Sequence, residues 1–544
     1  MKHAGGNASS PGSATPEFGP RLALLPRLAG AVQRRARHAM ARWAKGPSRP
    51  PVEAAYDWLL RTSLANGVPL LAGDALACPG VTGAAIATAT AYGDDETAQR
   101  WTKWLLSVQD HSGAFRDSAG EALSLVNTGQ AIRGLLAVGQ DSLRCDSQIE
   151  RACEFVLGCF EDSGQLRRDA TSAGGLAAWG SPALQLSCLP PVLQAARRFA
   201  HDGWVGRIQA IVRHYKRSFD LTRWDSVSHL FATGVGALAE LASIDPGLRG
   251  PAADAMELAA GAQQSDGSLP ALPRGGWCST SGCLGMAGVW YRLGQKVHAD
   301  RAWDAIAARQ LPNGGFVGSY GRGARYFPRR EVAWGALQFL DVTLLRVAAT
   351  FAEGDAAYAE ISTDDARLKT VRRWSARLPD NASIADVGCG RGRYLQHLAT
   401  WLPRARLVGV DLSERWCREM PRGVEARAGS LLRIPAADGE FDAVLAIESL
   451  EHSLLPRRAL REMFRVLRPG GRLLIIDKDA AAQPLSKHEP WEQWFAPREL
   501  SGWLSEGCQE VAVRSINLPK GGGKQVYVAW SGVRRGQTER RRAA

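Results

Sequence analysis

The sequence predicts two domains of different fold class, an N-terminal all-α ring of helix pairs and a C-terminal α/β sheet. Two observations predict this division. A glycine turn recurs roughly every 50 residues up to about residue 350, and beyond residue 380 apolar strand segments alternate with helical ones. The length of 544 residues, with 45% hydrophobic and 22% charged residues, is that of at least two ordinary folded domains.

Positive charge is concentrated at the two ends of the chain. The formal net charge is +13, of which residues 1–50 carry +8 and residues 532–544 carry +4. The body between them is nearly neutral, which argues against a basic nucleic-acid-binding face. We therefore expect no nucleic-acid partner, a disordered, basic extension over residues 1–51 and a basic disordered tail over residues 532–544.

Residues 21–46 have the composition of a basic helix with one apolar side. Two alternatives remain open for them, a helix that contacts anionic lipid at a membrane surface and a solvated or docked extension. No stretch offers the ~20 predominantly apolar residues of a membrane span. The 10 cysteines are irregularly scattered, as reduced thiols are in cytosolic proteins. The expected location is the cytoplasm, with peripheral contact at the inner membrane surface left open.

Five turn motifs mark the repeats of the first domain, which we place at residues 52–352. The pattern Gln-x3-Gly-x-apolar fits Gln109–Phe115, Gln263–Leu269 and Gln310–Phe316, while Phe160–Leu166 lacks the glutamine and Asn66–Pro69 is a weaker match. The glycines at 164 and 267 are two periods apart, which predicts a degenerate unit near Ser218–Trp224.

Helical periodicity follows several of these turns, as at Thr128–Val138, Gly234–Ala242 and Ser281–Leu293. Each unit is therefore predicted to be a turn followed by two helices, which bury their apolar faces only against neighbouring units. Six such units can close into a ring, an (α/α)6 toroid.

These turns, with Trp277–Leu284 and Trp290–Gly294, resemble the prenyltransferase and squalene-cyclase repeat superfamily. The resemblance implies the fold rather than an activity. The Asp-x-Asp-Asp motif of the cyclases and the Asp, Cys and His zinc ligands of the prenyltransferases have no counterparts here. Gly93–Glu96 is the nearest acidic run and is predicted to cap a helix. Cys278 and Cys283 lack a second ligand pair, so no metal site is predicted.

Strands and helices alternate in the second domain, which we place at residues 353–531, as in a parallel α/β sheet. The predicted strands are Ser383–Val387, Ala405–Val410, Glu440–Ile447, Arg472–Asp477 and Gln525–Trp530, and the predicted helices are Arg393–Trp401 and Arg457–Leu467.

The strongest motif of the chain is a glycine turn between the first of these strands and its helix. Residues 384–393 have the sequence Ile-Ala-Asp-Val-Gly-Cys-Gly-Arg-Gly-Arg. Glycines let a ligand approach the backbone, and the helix start offers free N–H groups. The spacing is Gly-x-Gly-x-Gly, and Arg393 occupies the position that is glycine in dinucleotide sites. Asp411 ends the next strand and is placed to accept both ribose hydroxyls of a nucleoside.

Residues 380–480 resemble a class I S-adenosylmethionine-dependent methyltransferase, through this motif, Phe441–His452 and Leu467–Leu474. The resemblance implies a Rossmann-like sheet and S-adenosylmethionine as cofactor. It places Asp386, Gly388 and Gly390 beside the amino-acid end of the cofactor, Asp411 on the ribose, Leu412 on adenine and Glu448 on the floor. An acid that often contacts adenine in this family is Ser430 here, so the contact is expected from its hydroxyl or from the main chain at Leu431.

Transfer of a methyl group to oxygen or nitrogen requires a base, or prior ionisation of the acceptor. The candidate bases follow the fourth and fifth strands, where open α/β sheets bind ligands. They are Glu451, His452 and His488. The alternative for each histidine is a structural hydrogen bond to a loop.

The sequence therefore predicts a methyltransferase for a small-molecule, glycan or lipid-linked acceptor that the toroid presents. In the alternative, the toroid is itself a cyclase, lyase or carbohydrate-processing catalyst that uses acids such as Asp74, Asp225 or Glu331. The methyl-accepting atom and the oligomeric state stay open.

Overall fold

The computed structural model describes residues 50–138, 145–168, 181–353, 361–480, 489–520 and 523–536, all within one compact unit. The expectations for residues 21–46, for the C-terminal tail beyond residue 536 and for His488 lie outside the described residues.

Residues 51–353 are helical, as the sequence predicts, and carry two short antiparallel β pairs. The helices are α1 Pro51–Thr62, α2 Pro79–Ala91, α3 Asp95–Ser107, α4 Leu125–Ala137, α5 Asp146–Gly158, α6 Pro182–Gln185, α7 Leu189–Arg198, α8 Asp202–Ser218, α9 Ser228–Leu241, α10 Arg249–Ala262, α11 Thr280–Arg292, α12 Lys296–Ala307 and α13 Ala333–Glu353. The β pairs are β1 Phe115–Arg116 with β2 Leu123–Ser124, and β3 Trp277–Ser279 with β4 Ser319–Gly321.

Side-chain caps explain where several of these helices begin. Ser124 accepts a hydrogen bond from the Asn127 N–H at the start of α4 (3.2 Å), and Ser279 accepts one from Gly282 at the start of α11 (3.2 Å). Asp94 caps α3 through the Thr97 N–H, which confirms the capping role predicted for that acidic run. Such caps satisfy N–H groups that the first turn leaves without partners.

Six of the helices pack side by side in a cycle. α2 packs against α4, α4 against α7, α7 against α9, α9 against α11, α11 against α13, and α13 against α2. The α2–α4 contact is a close backbone approach, because a side chain at Gly83 or Gly134 would clash with the opposite helix. Small residues at such positions allow helices to pack without intervening side chains.

The repeat glutamines tie each turn to the following outer helix. The Gln109 amide donates to the carbonyls of Gly113 (2.9 Å) and Gln148 (2.9 Å), and the Gln263 amide donates to those of Gly267 (3.0 Å) and His298 (3.0 Å).

The last such turn reaches back to the first helix. The Gln310 amide donates to the carbonyls of Gly314 (2.9 Å) and Pro51 (2.8 Å). Gly314 has a φ of +92°, and a side chain there would clash with the carbonyl of Ala54 in α1. The sixth turn therefore contacts the first helix in the way that earlier turns contact their successors.

A turn of the same kind lies where the spacing predicted a degenerate unit. Between α8 and α9, Asp220 accepts a hydrogen bond from the Thr222 N–H (3.0 Å). Asp110 makes the same bond with Ser112 (3.0 Å) in a turn that the glutamine motif identified. This unit lacks the glutamine of the repeat motif, so the motif does not identify it. The hydrogen bond from the aspartate side chain to the N–H group two residues later is retained.

Residues 361–536 form a seven-stranded sheet with flanking helices. The helices are α14 Ala366–Ser375, α15 Arg393–Trp401, α16 Glu414–Arg418, α17 Pro456–Val466 and α18 Pro497–Gly507. The strands are β5 Ser383–Val387, β6 Arg406–Asp411, β7 Glu425–Ala428, β8 Phe441–Ile447, β9 Leu467–Lys478, β10 Cys508–Lys520 and β11 Gly523–Arg534.

The strand order is β7-β6-β5-β8-β9-β11-β10, in which β5 to β9 are parallel and β11 runs antiparallel to both neighbours. The sheet therefore reverses its winding between β5 and β8, which is where such sheets bind ligands. The predicted strands all occur, although β9 and β11 are longer than expected, and β7 and β10 were not predicted. Both missed strands carry charged residues that break the apolar pattern.

The two parts meet through buried polar and apolar contacts. Arg458 on α17 forms an ion pair with Asp94 (2.6 Å), which also accepts a hydrogen bond from the Tyr56 hydroxyl (2.9 Å). One apolar core cluster contains Tyr92 and Leu340 of the helical part together with Leu450 of the α/β part. Contrary to the expectation that no stretch is apolar enough for a membrane span, α13 has that length and apolarity, alone among the described helices, and it packs against α1, α2, α11 and α12 as core helices do.

Candidate functional site

A cavity of about 1790 Å³ lies between the helical part and the carboxyl ends of the parallel strands. The α/β part contributes the glycine turn after β5, the ends of β6 and β8, and the loop after β7. The helical part contributes the end of α2 and one face of α13. Every predicted site residue that the structure describes lines this cavity.

The glycine turn bends backbone toward the cavity. Gly388, Gly390 and Gly392 all have positive φ values, of +77°, +56° and +77°. A side chain at Gly388 would also clash with Ser449, the residue after Glu448. α15 begins at Arg393 directly after the turn, as the sequence predicts, so its first N–H groups face the same space.

Asp386 is the penultimate residue of β5 and is 1% exposed. Its Oδ2 atom has no hydrogen-bond partner within the described part of the chain. Burial raises the pKa of Asp386 to about 7, with Arg393 lowering it and Asp411 raising it further. A buried carboxylate oxygen without a partner beside a cavity is suited to a cationic ligand group, such as the amino group of S-adenosylmethionine.

Asp411 ends β6 and faces the same turn. Its two oxygens accept hydrogen bonds from the N–H groups of Gly390 (2.8 Å) and Ser413 (2.9 Å). Each oxygen retains a lone pair, so the carboxylate can also accept from two ribose hydroxyls. Burial raises its pKa, against the effect of these backbone N–H groups. Leu412 is 40% exposed, which is unusual for a leucine beside a core and leaves an apolar surface for a base.

Ser430 and Leu431 lie in the loop after β7, on the wall of the cavity. The Ser430 hydroxyl oxygen accepts a hydrogen bond from the Leu432 N–H (3.1 Å). The Gly429 N–H donates to the Asp411 carbonyl (2.8 Å), which holds this loop next to the end of β6. Both residues are therefore placed beside Leu412, as an adenine contact requires.

Glu448 follows β8 and has a left-handed backbone with a φ of +53°. Its carboxylate accepts hydrogen bonds from Arg367 (2.5 Å), Arg393 (2.8 Å) and the Tyr527 hydroxyl (3.0 Å). These three partners were not identified from the sequence, although Arg393 stood within the motif. They place two guanidinium groups at the cavity floor, where a ligand carboxylate can also bind.

Glu451 is buried and is held by a lysine. Its side chain is 1% exposed, and Lys478 Nζ lies 2.9 Å from its Oε1 and 2.6 Å from Glu492 Oε1. Burial raises the pKa of Glu451 to about 7, while Lys478 lowers it. A carboxyl group with a pKa near neutrality is matched to proton transfer at physiological pH.

His452 lies beside Glu451 and beneath the helical part. Its imidazole contacts Phe351 of α13 edge-on, with 5.0 Å between ring centroids. Burial lowers the pKa of His452 to about 4, so the ring is neutral near pH 7. Its Nδ1 atom has no hydrogen-bond partner among residues the structure describes.

Glu451, His452 and Glu492 also have the donor atoms of a metal site, all within 4.8 Å of one another. The Lys478 ammonium already lies between the two carboxylates and supplies the positive charge that they require. The cluster is therefore better described as a lysine-bridged carboxylate pair.

The apolar wall on the helical side was not predicted from the sequence. It consists of Leu344, Leu345, Ala348 and Phe351 on α13, joined by Leu454 and Trp416 of the α/β part. The repeat motifs mark only the turns, so they carry no information about which inner helix faces the second domain.

The acids proposed for a catalytic toroid have structural partners instead. Asp74 pairs with Arg330 (2.5 Å), and Asp225 lies 3.7 Å from Arg223. Glu331 accepts hydrogen bonds from the Trp58 indole and from Asn313. Trp290, which begins one of the segments that resemble the repeat superfamily, is fully buried in the core.

Comparison with known proteins agrees with this geometry. A family model of a methyltransferase domain matches residues 385–475. An O-methyltransferase of Penicillium expansum is 39% identical over 103 residues, which is 17% of this chain and 37% of the relative. A demethylmenaquinone methyltransferase of Roseiflexus castenholzii is 33% identical over 118 residues, which is 21% of this chain and 50% of the relative.

The chain thus spans half or less of the length of these two curated relatives.

A crystal structure of an S-adenosylmethionine-dependent methyltransferase from Thermotoga maritima is 25% identical and covers 31% of this chain and 88% of its own, with a TM-score of 0.26. The C-terminal part of the chain is an S-adenosylmethionine-dependent methyltransferase domain, and S-adenosylmethionine is its cofactor.

Proposed function

We propose that the chain transfers a methyl group from S-adenosylmethionine to a small-molecule, glycan or lipid-linked acceptor held between its two parts. The observation that carries the proposal is the cavity itself. One wall holds the glycine turn and Asp411, and the opposite wall is an apolar face of α13. A cofactor on the first wall leaves room for an acceptor against the second.

The cofactor roles proposed for individual residues follow from their positions. Asp386 binds the amino group, Arg393 and Arg367 lie where the carboxylate would be, and Asp411 binds the ribose hydroxyls. Leu412 packs on adenine, with Ser430 and the main chain of Leu431 at its edge. When bound, S-adenosylmethionine supplies an electrophilic methyl group on a sulfonium.

The acceptor side of the cavity offers a proton acceptor and an apolar wall. Glu451, with its pKa near 7, is the proposed base, and His452 and Phe351 position the acceptor against it. Positioning alone accelerates a displacement of this kind strongly. His452 is the second candidate base, because burial keeps its imidazole neutral.

We further propose that residues 52–352 form a closed toroid of six helix pairs that presents the acceptor. The cycle of packed inner helices and the contacts of Gln310 and Gly314 with α1 support closure. The paired states of Asp74 and Glu331 favour a presenting role over a catalytic one.

One relative, named as a demethylmenaquinone methyltransferase, supports a small acceptor, whereas a human relative is named as a probable tRNA methyltransferase. The nearly neutral charge of the body also favours an acceptor other than nucleic acid.

The test is transfer of a deuterated methyl group from S-adenosylmethionine into a cell extract by the purified full-length chain. The extract is then separated into organic-soluble, water-soluble small-molecule, protein and RNA fractions for mass spectrometry. We expect label in a small-molecule or lipid fraction, and none with Gly388→Val, which fills the cofactor turn. Label confined to protein or RNA would contradict the proposal.

A further inference from the structure

Four charged side chains from four inner helices come together within the helical part. Arg133 of α4 forms an ion pair with Glu240 of α9 (3.1 Å). Arg292, the last residue of α11, interacts electrostatically with both of them and with Asp341 of α13. None of these residues belongs to a repeat turn or to the methyltransferase motifs.

Arg292 makes no direct ion pair within this cluster, although Glu240 and Asp341 interact with it electrostatically. Both Glu240 oxygens accept from Arg133 (3.3 and 3.1 Å), and Asp341 accepts from the Thr88 hydroxyl (2.8 Å). In the described ranges, no carboxylate lies within ion-pair distance of the Arg292 guanidinium. Its planar fork of N–H donors is not engaged directly by either carboxylate, so it can bind a further oxyanion in a bidentate manner.

The surroundings of the cluster are concave. Arg292 and Asp341 both retain solvent contact, which excludes a closed core. Yet desolvation raises the pKa of Asp341 to about 6 and lowers the pKa of Arg292. Side chains that are accessible and at the same time strongly desolvated lie on the walls of a recess.

This recess adjoins the cavity of the methyltransferase domain. Asp341, Leu345, Ala348 and Phe351 are spaced by three or four residues and so share one face of α13. Leu345 and Ala348 line the cavity, and Phe351 contacts His452. From Asp341 to Phe351 the helix rises about 15 Å.

Gly288 of α11 lies where the two regions join. A Cβ atom placed on it would be 3.4 Å from Arg292 Nη1 and 3.8 Å from Leu345 Cδ1. The free guanidinium is therefore next to the first apolar residue of the cavity wall. A single elongated molecule can contact both.

We propose that Arg292 binds an oxyanion at one end of the acceptor, whose apolar middle lies along Leu345 and Ala348 and whose methyl-accepting end reaches His452. The acceptor is thus an anionic amphiphile at least about 9 Å long, the rise of α13 from Leu345, which lies beside Arg292, to Phe351, which contacts His452. A carboxylate, phosphate or sulfate has the required chemistry. This inference rests on the proposed function and names the substrate class of the same site.

The experiment measures binding of decyl sulfate and of decanol to the full-length chain by calorimetry, below the concentration at which decyl sulfate forms micelles. The sulfate keeps its charge at every pH used, and the two probes share one alkyl chain. We expect the wild type to bind decyl sulfate at least tenfold more tightly than decanol. Arg292→Gln should remove that preference, Arg292→Lys should retain part of it, and Arg301→Gln on the outer helix α12 should leave it unchanged.

Binding of S-adenosylmethionine and methyl transfer to the extract are measured on the same samples. Arg292→Gln should bind S-adenosylmethionine with unchanged affinity, which confirms that the variant is folded. Equal affinity of the wild type for both probes, or an undiminished sulfate preference in Arg292→Gln, would overturn the oxyanion site. Methyl transfer by the wild type is measured separately from binding of the probes. If the proposed function is wrong, the wild type transfers no methyl group to a small molecule or lipid; if only the anion site is wrong, it does so but shows no preference for decyl sulfate that depends on Arg292.

Discussion

The phenyl ring of Phe351 lies edge-on to the imidazole of His452, with their centroids 5.0 Å apart. Phe351 belongs to the last helix of the repeat part, and His452 follows the fourth strand of the methyltransferase domain. This contact brings a helix of the repeat part to the predicted position of methyl transfer. The proposed acceptor pocket therefore includes residues of both parts, and neither sequence motif alone defines it.

Asp411→Ala should weaken S-adenosylmethionine binding by about 1–3 kcal/mol, because the ribose hydroxyls lose their charged acceptor. Calorimetry on the full-length chain measures the change. Asp380→Ala, at an exposed aspartate of the same domain, is the control and should have no effect. Equal affinities for Asp411→Ala and the wild type would refute the ribose role.

Asp386→Asn should stabilise the protein without cofactor, and by more at pH 8 than at pH 5. The folded-state pKa of Asp386 is raised to about 7, above its unfolded value, so its ionisation destabilises the fold as the pH rises from about 4 to above 7. We expect a gain on the order of 1–3 kcal/mol at pH 8 in urea unfolding. The same variant should bind S-adenosylmethionine more weakly. A gain in stability that is equal at both pH values would show that ionisation of Asp386 does not destabilise the fold.

The junction between the two parts is tested by a double-mutant cycle on Asp94 and Arg458. Each single alanine variant leaves one mostly buried charge without its partner, and should cost roughly 2–3 kcal/mol of stability. The double variant should cost less than the sum of the two, because no unpaired charge remains. Strict additivity in denaturant unfolding would mean that the pair does not join the parts energetically.

Lys478→Met should destabilise the protein by roughly 3 kcal/mol at pH 8 and by less at pH 6. The variant leaves Glu451 and Glu492 facing each other without a cation. Since the folded-state pKa of Glu451 is already raised to about 7, its protonation at pH 6 relieves part of the repulsion. Lys369→Met, at an exposed lysine paired with Asp364, is the control. A loss that does not depend on pH would contradict the bridging role.

The residues that the sequence assigns to the cofactor line one cavity, because the spacing of the turn and the strand ends determines where they lie. Asp386, Gly388 and Gly390 occupy one turn, and Asp411 ends the neighbouring parallel strand, so spacing along the chain determines their positions in space. The strand β5 and helix α15 have the bounds that were predicted. The candidate acceptor half is non-local. Phe351, Lys478 and Arg292 come from distant segments, so only the tertiary structure determines where they lie relative to the cavity.

In the repeat domain, too, contacts between distant segments could not be predicted from local sequence. The glutamine and glycine turns were visible because each contacts the next outer helix through its backbone, which restricts the residue types at those positions. The inner helices carry no comparable motif. Arg133, Glu240 and Asp341 are single charges on apolar helices, and their convergence follows from the cyclic arrangement rather than from local sequence.

The most direct test of the shared acceptor pocket is methyl transfer by Ala348→Trp. Ala348 is exposed to the cavity from the helical side, so a tryptophan there fills the acceptor space without touching the cofactor turn. Two quantities are measured for each variant: the labelled product formed from cell extract and the affinity for S-adenosylmethionine. Leu258→Trp, on the outer helix α10, is the control. We expect Ala348→Trp to abolish product while its S-adenosylmethionine affinity and the product formed by the control stay at wild-type values; wild-type product formation by Ala348→Trp would contradict a shared acceptor pocket.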